Sequence, residues 1–303
     1  MLKLENVKTF KTMKEDNSKP PSPIVSNGIL LDNTILTIVG QTKIGKTFLI
    51  YDLALAIASG GSFLNAEVPE AKSVLILSAE GGYYPNRERV KVLADDVSDE
   101  SLERIGYIPF ASLNLGDMEH LYALIDMINA GGYEVLIIDP LIRFHTADEN
   151  SSSAMSDIYS NLRLMMEETG VSVCLVHHTG KNKAAGARGS SVIASEYDSC
   201  ITLTGESKHA VAEFDMRHVL SPEPLVLSLN SKTLRFDWHS KNHEDQVEQL
   251  IEKEPMPRAD LARELMALGM SSSAAYRGIS KALQSKRYVV SDGKITRIEK
   301  ALN

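Results

Sequence analysis

The segment Gly40-Gln41-Thr42-Lys43-Ile44-Gly45-Lys46-Thr47 constrains this chain more than any other part of it. It fits GxxxxGK[ST] and stands between a β-branched run, Ile35-Leu36-Thr37-Ile38-Val39, and a helical pattern from Phe48 to Ser59. A chance match in a chain of this length is on the order of one in a hundred, before the flanking strand and helix are required. Glycines there let backbone N–H groups turn toward phosphate oxygens, and the following helix offers its positive end. In that geometry Lys46 reaches the β and γ phosphates and Thr47 ligates Mg²⁺. Gly40 to Phe48 is therefore the expected site for ATP with Mg²⁺, an ordinary Gly-rich turn being the competing reading.

Around this loop, short apolar runs alternate with helical patterns. The runs are Val74 to Leu77, Val135 to Ile138 and Val171 to Val176. The helical patterns carry Met118, Leu121, Leu124, Ile125 and Ile128, then Ile158, Leu162, Met165 and Met166. Continuous apolar strands imply burial on both faces, and strand–helix alternation implies a parallel sheet covered by helices. The expected fold class is therefore α/β, a P-loop domain over residues 35–240. After Ser199 strands dominate, at Cys200 to Thr204, Ala210 to Met216, Leu225 to Leu229 and Thr233 to Phe236, as an antiparallel extension of the sheet. Residues 1–34 read as an arm and linker, a charged stretch followed by the extended Pro20-Pro21-Ser22-Pro23 connector. Ser151-Ser152-Ser153 reads as loop.

Residues 241–303 read as a second unit. Val247, Leu250 and Ile251 mark one helix, Leu261, Ala262, Leu265 and Leu268 a second, and Ala275, Ile279, Ala282 and Leu283 a third capped from Ser271 to Ser273. Tyr288-Val289-Val290, the turn Asp292-Gly293 and Ile295 to Ile298 complete a hairpin. This is the order of a winged helix.

Composition excludes several classes. Forty-three per cent hydrophobic and 24% charged residues exclude a wholly disordered, collagenous or coiled-coil chain. Only Cys174 and Cys200 are present, so no disulfide framework or CxxC metal site is available. No apolar run approaches ~18 residues, and the N-terminus has no signal-peptide core. The expectation is a cytoplasmic protein without a membrane partner. The formal charge of -8 divides at Met256 into +5 for the tail and -13 for the rest. Arg277 and Lys281 on the third helix, with Lys294 and Arg297 in the wing, are candidate DNA-phosphate contacts; a protein-binding winged helix is the alternative.

Asp139 ends a buried strand, where a Mg²⁺-side carboxylate belongs, although aspartates at strand ends are often turn residues. Glu80 follows another buried strand, placed either to polarise a water or merely to cap. His177-His178 end a third strand and, by position alone, fit partly exposed residues as well as a site. The order of these features resembles a RecA-type ATPase core. More closely, Asp139-Pro140-Leu141-Ile142-Arg143-Phe144-His145, Leu175-Val176-His177-His178 and Ala187-Arg188-Gly189-Ser190-Ser191 resemble the RepA-type hexameric plasmid replicative helicases and their AAA_25 relatives, over about residues 24–236.

The resemblance implies roles. Glu80 becomes the catalytic base, and His177 the γ-phosphate sensor ahead of His178. Arg188 becomes an arginine finger given across a subunit boundary, which ties hydrolysis to assembly. Arg143 to Met155 and Thr179 to Ser191 fall where such rings present DNA loops; the second carries Lys181 and Lys183, suited to phosphates. The expected function is an oligomeric, hexameric ATP-hydrolysing motor on single- or double-stranded DNA, a plasmid- or phage-type replicative helicase with a replication or mobile-element protein as partner. An ATP-switched winged-helix regulator and a recombination or helicase-loading accessory ATPase are the alternatives.

Overall fold

The computed structural model describes residues 7–109, 112–178, 195–206, 209–240, 243–268, 272–285 and 287–297. Strand β1 (Ile35–Gly40) and helix α2 (Lys46–Ser59) flank the Gly-rich loop, and a short exposed helix α1 (Phe10–Glu15) precedes them. A small hairpin, β2 (Ser62–Phe63) and β3 (Ala66–Glu67), leads to β4 (Val74–Ser78), α3 (Tyr83–Leu93), α4 (Asp99–Glu103) and β5 (Ile105–Pro109). Then come α5 (Met118–Gly131), β6 (Val135–Asp139), α6 (Ser152–Thr169), β7 (Ser172–His178), β8 (Ser199–Glu206), β9 (His209–Met216), β10 (Leu225–Leu229) and β11 (Phe236–Ser240).

These strands build a nine-stranded sheet among the described residues, in the order β11-β10-β9-β8-β1-β7-β6-β4-β5. From β8 to β5 every pairing is parallel; β8 to β11 pair antiparallel. The expected α/β class with an antiparallel extension is what forms. Strand alternation divides the core. Leu36, Ile38, Val74, Ile76, Val135, Ile137, Cys174 and Val176 pack with α2 on one face. Ile35, Leu75, Leu77, Leu136, Ile138, Val173 and Leu175 pack with α5 and α6 on the other. The β1 strand, buried along its whole length, lies between β7 and β8, so the loop after it opens at the middle of the sheet's carboxyl edge, where open α/β sheets bind ligands.

Several boundaries differ from expectation. The arm of 1–34 ends earlier, because Ile24, Val25, Ile29 and Leu30 are fully buried in the α2-side core. Ser199 Oγ donates to Ile29 O and Ser172 Oγ to Leu31 O, pinning that turn under the sheet. The serine run is no loop. Ser151 caps α6 by accepting from Ala154 N, and Ser152 and Ser153 begin the helix, as serine's short hydroxyl favours. Thr233 to Arg235 form a turn, not a strand: Asn230 Oδ1 accepts from the Lys232 and Thr233 amides, Leu234 takes φ 57°, and β11 starts only at Phe236.

Beyond the sheet, α7 (His243–Lys253), α8 (Arg258–Ala267), α9 (Ser272–Gln284), β12 (Tyr288–Ser291) and β13 (Lys294–Arg297) form a unit with its own core of Val247, Ile251, Leu261, Leu265, Ile279, Tyr288 and Ile295. Asp292 and Gly293 both take positive φ, 50° and 74°, as a two-residue hairpin turn requires. Met256 bridges to Ile295, tying the hairpin to the segment before α8.

Candidate functional site

Side-chain alternation decides which strand-end residues meet the loop. Val135 and Ile137 face α2, so Asp139 does too; Val74 and Ile76 face α2, and the same alternation carries Glu80 to that side. Cys174 and Val176 face α2, which brings His178 round to it. A cavity of ≈ 390 Å³ results, lined by Thr42, Lys43, Gly45, Lys46, Thr47, Phe48, Glu80, Gly81, Arg89, Asp139 and His178.

The loop's geometry follows from its residues. Gly45 caps α2 at φ 103°, and a Cβ there would stand 2.8 Å from the Phe236 ring, so both conformation and space demand glycine. Ile44, expected among the nucleotide contacts, buries its side chain in the core and offers the site only backbone. Lys46 Nζ donates to Gly40 O (2.8 Å) and Gln41 O (2.9 Å) and lies 3.1 Å from His178 Nδ1. An ammonium only donates, so His178 Nδ1 accepts and Nε2 carries the proton, 4.0 Å from Glu80 Oε1. Thr47 Oγ1 donates to Asp139 Oδ2 at 3.1 Å. That pair of hard oxygens suits Mg²⁺, which takes one or two protein ligands and completes its shell with phosphate and water.

Burial dominates the electrostatics. It lowers Lys46 to about 8, against the opposing pull of Asp139 and Glu80. Burial likewise lifts Asp139 to about 6, helped by the negative charge of Glu80 and opposed by the Thr47 hydrogen bond and by Lys46. A Mg²⁺ held by Thr47 and Asp139 would require the Asp139 carboxylate, and attraction of a phosphate would require the Lys46 ammonium. Affinity for Mg-ADP is therefore expected to peak between about pH 6 and 8, falling below 6 as Asp139 protonates and above 8 as Lys46 loses its proton. Titration calorimetry across pH checks this, with Asp139→Asn as the control; an acid limb that persists unchanged in Asp139→Asn assigns that limb elsewhere.

His177, expected as the sensor, is placed elsewhere. It is 2% exposed on the α5–α6 face, with Nδ1 3.8 Å from Glu149 Oε1, and burial lowers it to about 4. That placement follows from strand parity. Arg188, Lys181 and Lys183 lie outside the described residues. Arg277, Lys281 and Lys294 are exposed in the C-terminal unit, whereas Arg297 pairs with Glu252 at 2.7 Å and Arg287 with Glu248. Arg297 of the hairpin and Arg287 just before it thus neutralise acids of α7. Because α7 shares the unit's core, charge belongs to 243–303 as a whole, where ten Lys and Arg meet nine Asp and Glu.

Two residues of α3 were missed by sequence reasoning. Arg89 reaches the cavity with its guanidinium 5.4 Å over the Phe48 ring centroid, and Asn86 is buried beneath the Glu80–Gly81 turn. A cation nine residues after a strand-end glutamate was the available signal, but it needs the helix to give it direction.

The sequence model of a family described as AAA domain, AAA_25, matches residues 3–184, more than half of the chain. Among solved structures, the RadB recombinase is similar at 15% identity and a TM-score of 0.50, over 67% of this chain and 90% of that one. A KaiC-like protein from the hyperthermophilic archaeon Pyrococcus horikoshii is similar at 13% identity and a TM-score of 0.52, over 71% of this chain and 93% of that one. At such identities the likeness speaks for the fold, that of RecA-like P-loop proteins.

Proposed function

Because the chain belongs to the AAA_25 family of AAA domains and has a RecA-like P-loop ATPase fold, we propose that it is an oligomeric, DNA-dependent ATP hydrolase of the replicative-helicase type. The observation that carries the reading is the meeting of Lys46, Thr47, Asp139, Glu80 and His178 in one cleft at the carboxyl edge of β1, β4, β6 and β7. Lys46 and the loop amides hold phosphates, and Thr47 with Asp139 holds Mg²⁺, which when bound neutralises charge on the β and γ phosphates. Glu80, at the cleft's mouth, orients and deprotonates water. His178 takes the sensor role in place of His177, since it alone of the pair spans Lys46 and Glu80. Arg89 supplies positive charge within the chain, and Arg188 of a neighbouring copy supplies a second.

DNA as partner and a hexameric assembly rest on the family resemblance and on Lys181 and Lys183, and the recombinase named among similar structures supports the same class. The test is native mass measurement with and without ATP and DNA, followed by strand displacement on a forked duplex. An ATP-dependent hexamer that unwinds is the expected result; active protein that hydrolyses ATP but never unwinds sinks the helicase reading. A regulator carrying a winged helix is the second reading, favoured by the separate core of 243–297 and by Arg277 and Lys281 exposed along α9. Sequence-selective duplex binding that changes with nucleotide would favour it.

A further inference from the structure

The geometry points to Asn86 as a positioning residue for hydrolysis, one amide that holds the turn bearing Glu80 and the guanidinium of Arg89 at a fixed spacing. This rests on the nucleotide reading of the cleft. Asn86 is 1% exposed, on the first turn of α3. Its Nδ2 donates to Glu80 O at 3.0 Å and to Tyr107 Oη at 2.7 Å, and its Oδ1 accepts from Arg89 NH1 at 2.9 Å. The amide's orientation is forced: a carbonyl only accepts and a guanidinium only donates, so nitrogen must face Glu80 and oxygen must face Arg89. Gly81, at φ 81°, makes room, since a Cβ there would lie 3.1 Å from both polar atoms of the amide. On the far side Arg89 lies over Phe48, the residue after Thr47. The amide therefore connects the strand-end carboxylate to the phosphate loop through Arg89, while Tyr107 on β5 anchors it to the sheet.

Glu80 itself is half exposed at the mouth of the cleft, so packing does little to place it. Its position depends on its own backbone, whose carbonyl accepts from Asn86 Nδ2 and, at 3.2 Å, from Ser78 Oγ; Asn86 adds the link onward to Arg89. An error of about 1 Å at a reacting group can cost on the order of a hundredfold in rate while leaving binding intact.

Asn86→Ala removes all three bonds. Asn86→Asp keeps the shape and the Arg89 link but puts an acceptor oxygen in place of the donating nitrogen, setting repulsion against Glu80 O while the Tyr107 hydroxyl can turn to donate. Tyr107→Phe removes only the outer anchor. Single-turnover hydrolysis, binding of a fluorescent Mg-ADP analogue and thermal melting are compared in the full chain. Both Asn86 variants are expected to lose about 10- to 100-fold in the hydrolysis rate with analogue Kd within about threefold of wild type, and Tyr107→Phe to lose about three- to tenfold. Asn86→Asp carries the test if the alanine variant fails to fold, and Tyr107→Phe if both do. Hydrolysis within twofold of wild type in every folded variant overturns the inference, as does a rate loss that merely follows the loss of binding or of melting temperature. Wild-type protein that binds no Mg-nucleotide overturns the nucleotide reading, and this inference with it.

Discussion

Lys46→Ala is expected to lower ATP turnover by at least about 10²- to 10³-fold, the usual cost of deleting one donor aimed at developing charge. The side chain sits where no neighbour replaces it. Its ammonium rests on Gly40 O and Gln41 O of the loop and on His178 Nδ1 at the end of β7. In the nucleotide-free protein these bonds offset a burial cost large enough to bring its pKa down to about 8. Removing the charge therefore removes a penalty together with its compensation, and the melting temperature should move by only a few degrees. With Mg-ATP present the balance changes, since phosphate becomes the ammonium's partner and the variant forfeits that stabilisation by ligand. The ATP-induced rise in melting temperature should shrink far more than the basal value. Lys46→Arg should rescue little, because a planar fork does not fit a niche shaped for a compact ammonium. Phosphate release and melting with and without Mg-ATP check this; turnover above a tenth of wild type in Lys46→Ala would remove Lys46 from the phosphate site.

How much of this was legible depends on what each residue needs in order to act. The phosphate loop needs only its own eight residues and the elements flanking them, so sequence shows it directly. Asp139 and Glu80 stand at the ends of continuous apolar strands, whose burial is a composition signal. The choice between His177 and His178 turned on something subtler. Both stand at the right height, but alternation from Cys174 and Val176 sends His178 toward α2 and His177 to the opposite face. That parity was present in the sequence, but it takes the pairing of β6 with β7, Ile138 beside Leu175, to put His178 on the face of Asp139. Helix α3 was not legible, because it buries only Asn86 and Leu93 and so has no apolar stripe to announce a helix. Arg89 and Asn86 were hidden with it. The edge strand β5 is half-buried along its length and lacks a core signal for the same reason. In the C-terminal unit the elements were readable from periodicity, yet the basic character assigned to it depended on starting the count at Met256. The ion pairs of Arg287 and Arg297 with Glu248 and Glu252 join α7 to the hairpin, while Arg277 and Lys281 on α9 and Lys294 on β13 are exposed.

Glu80→Gln should separate binding from chemistry: turnover falls by about 10²- to 10⁴-fold, the range of a general base, while Mg-ATP remains bound. The substitution keeps size and hydrogen-bonding capacity and removes the charge that accepts a proton from water. The backbone link from Asn86 to Glu80 O is untouched, so the turn stays in place. A second consequence has a definite sign. Glu80's negative charge helps to raise Asp139, so its loss should lower the Asp139 pKa from about 6 toward the ordinary carboxylate value. Asp139 then remains ionised at more acid pH, and the acid limb of Mg-nucleotide binding should move down in pH in Glu80→Gln. A variant that was merely misfolded would lose affinity at every pH and show no such displacement. Turnover near wild type would remove Glu80 as the base, whereas lost turnover with an acid limb that stays at about pH 6 would keep the base and reject the electrostatic coupling to Asp139. The expected combination, slower chemistry with tighter binding in acid, requires the two carboxylates to share one field in the same cleft.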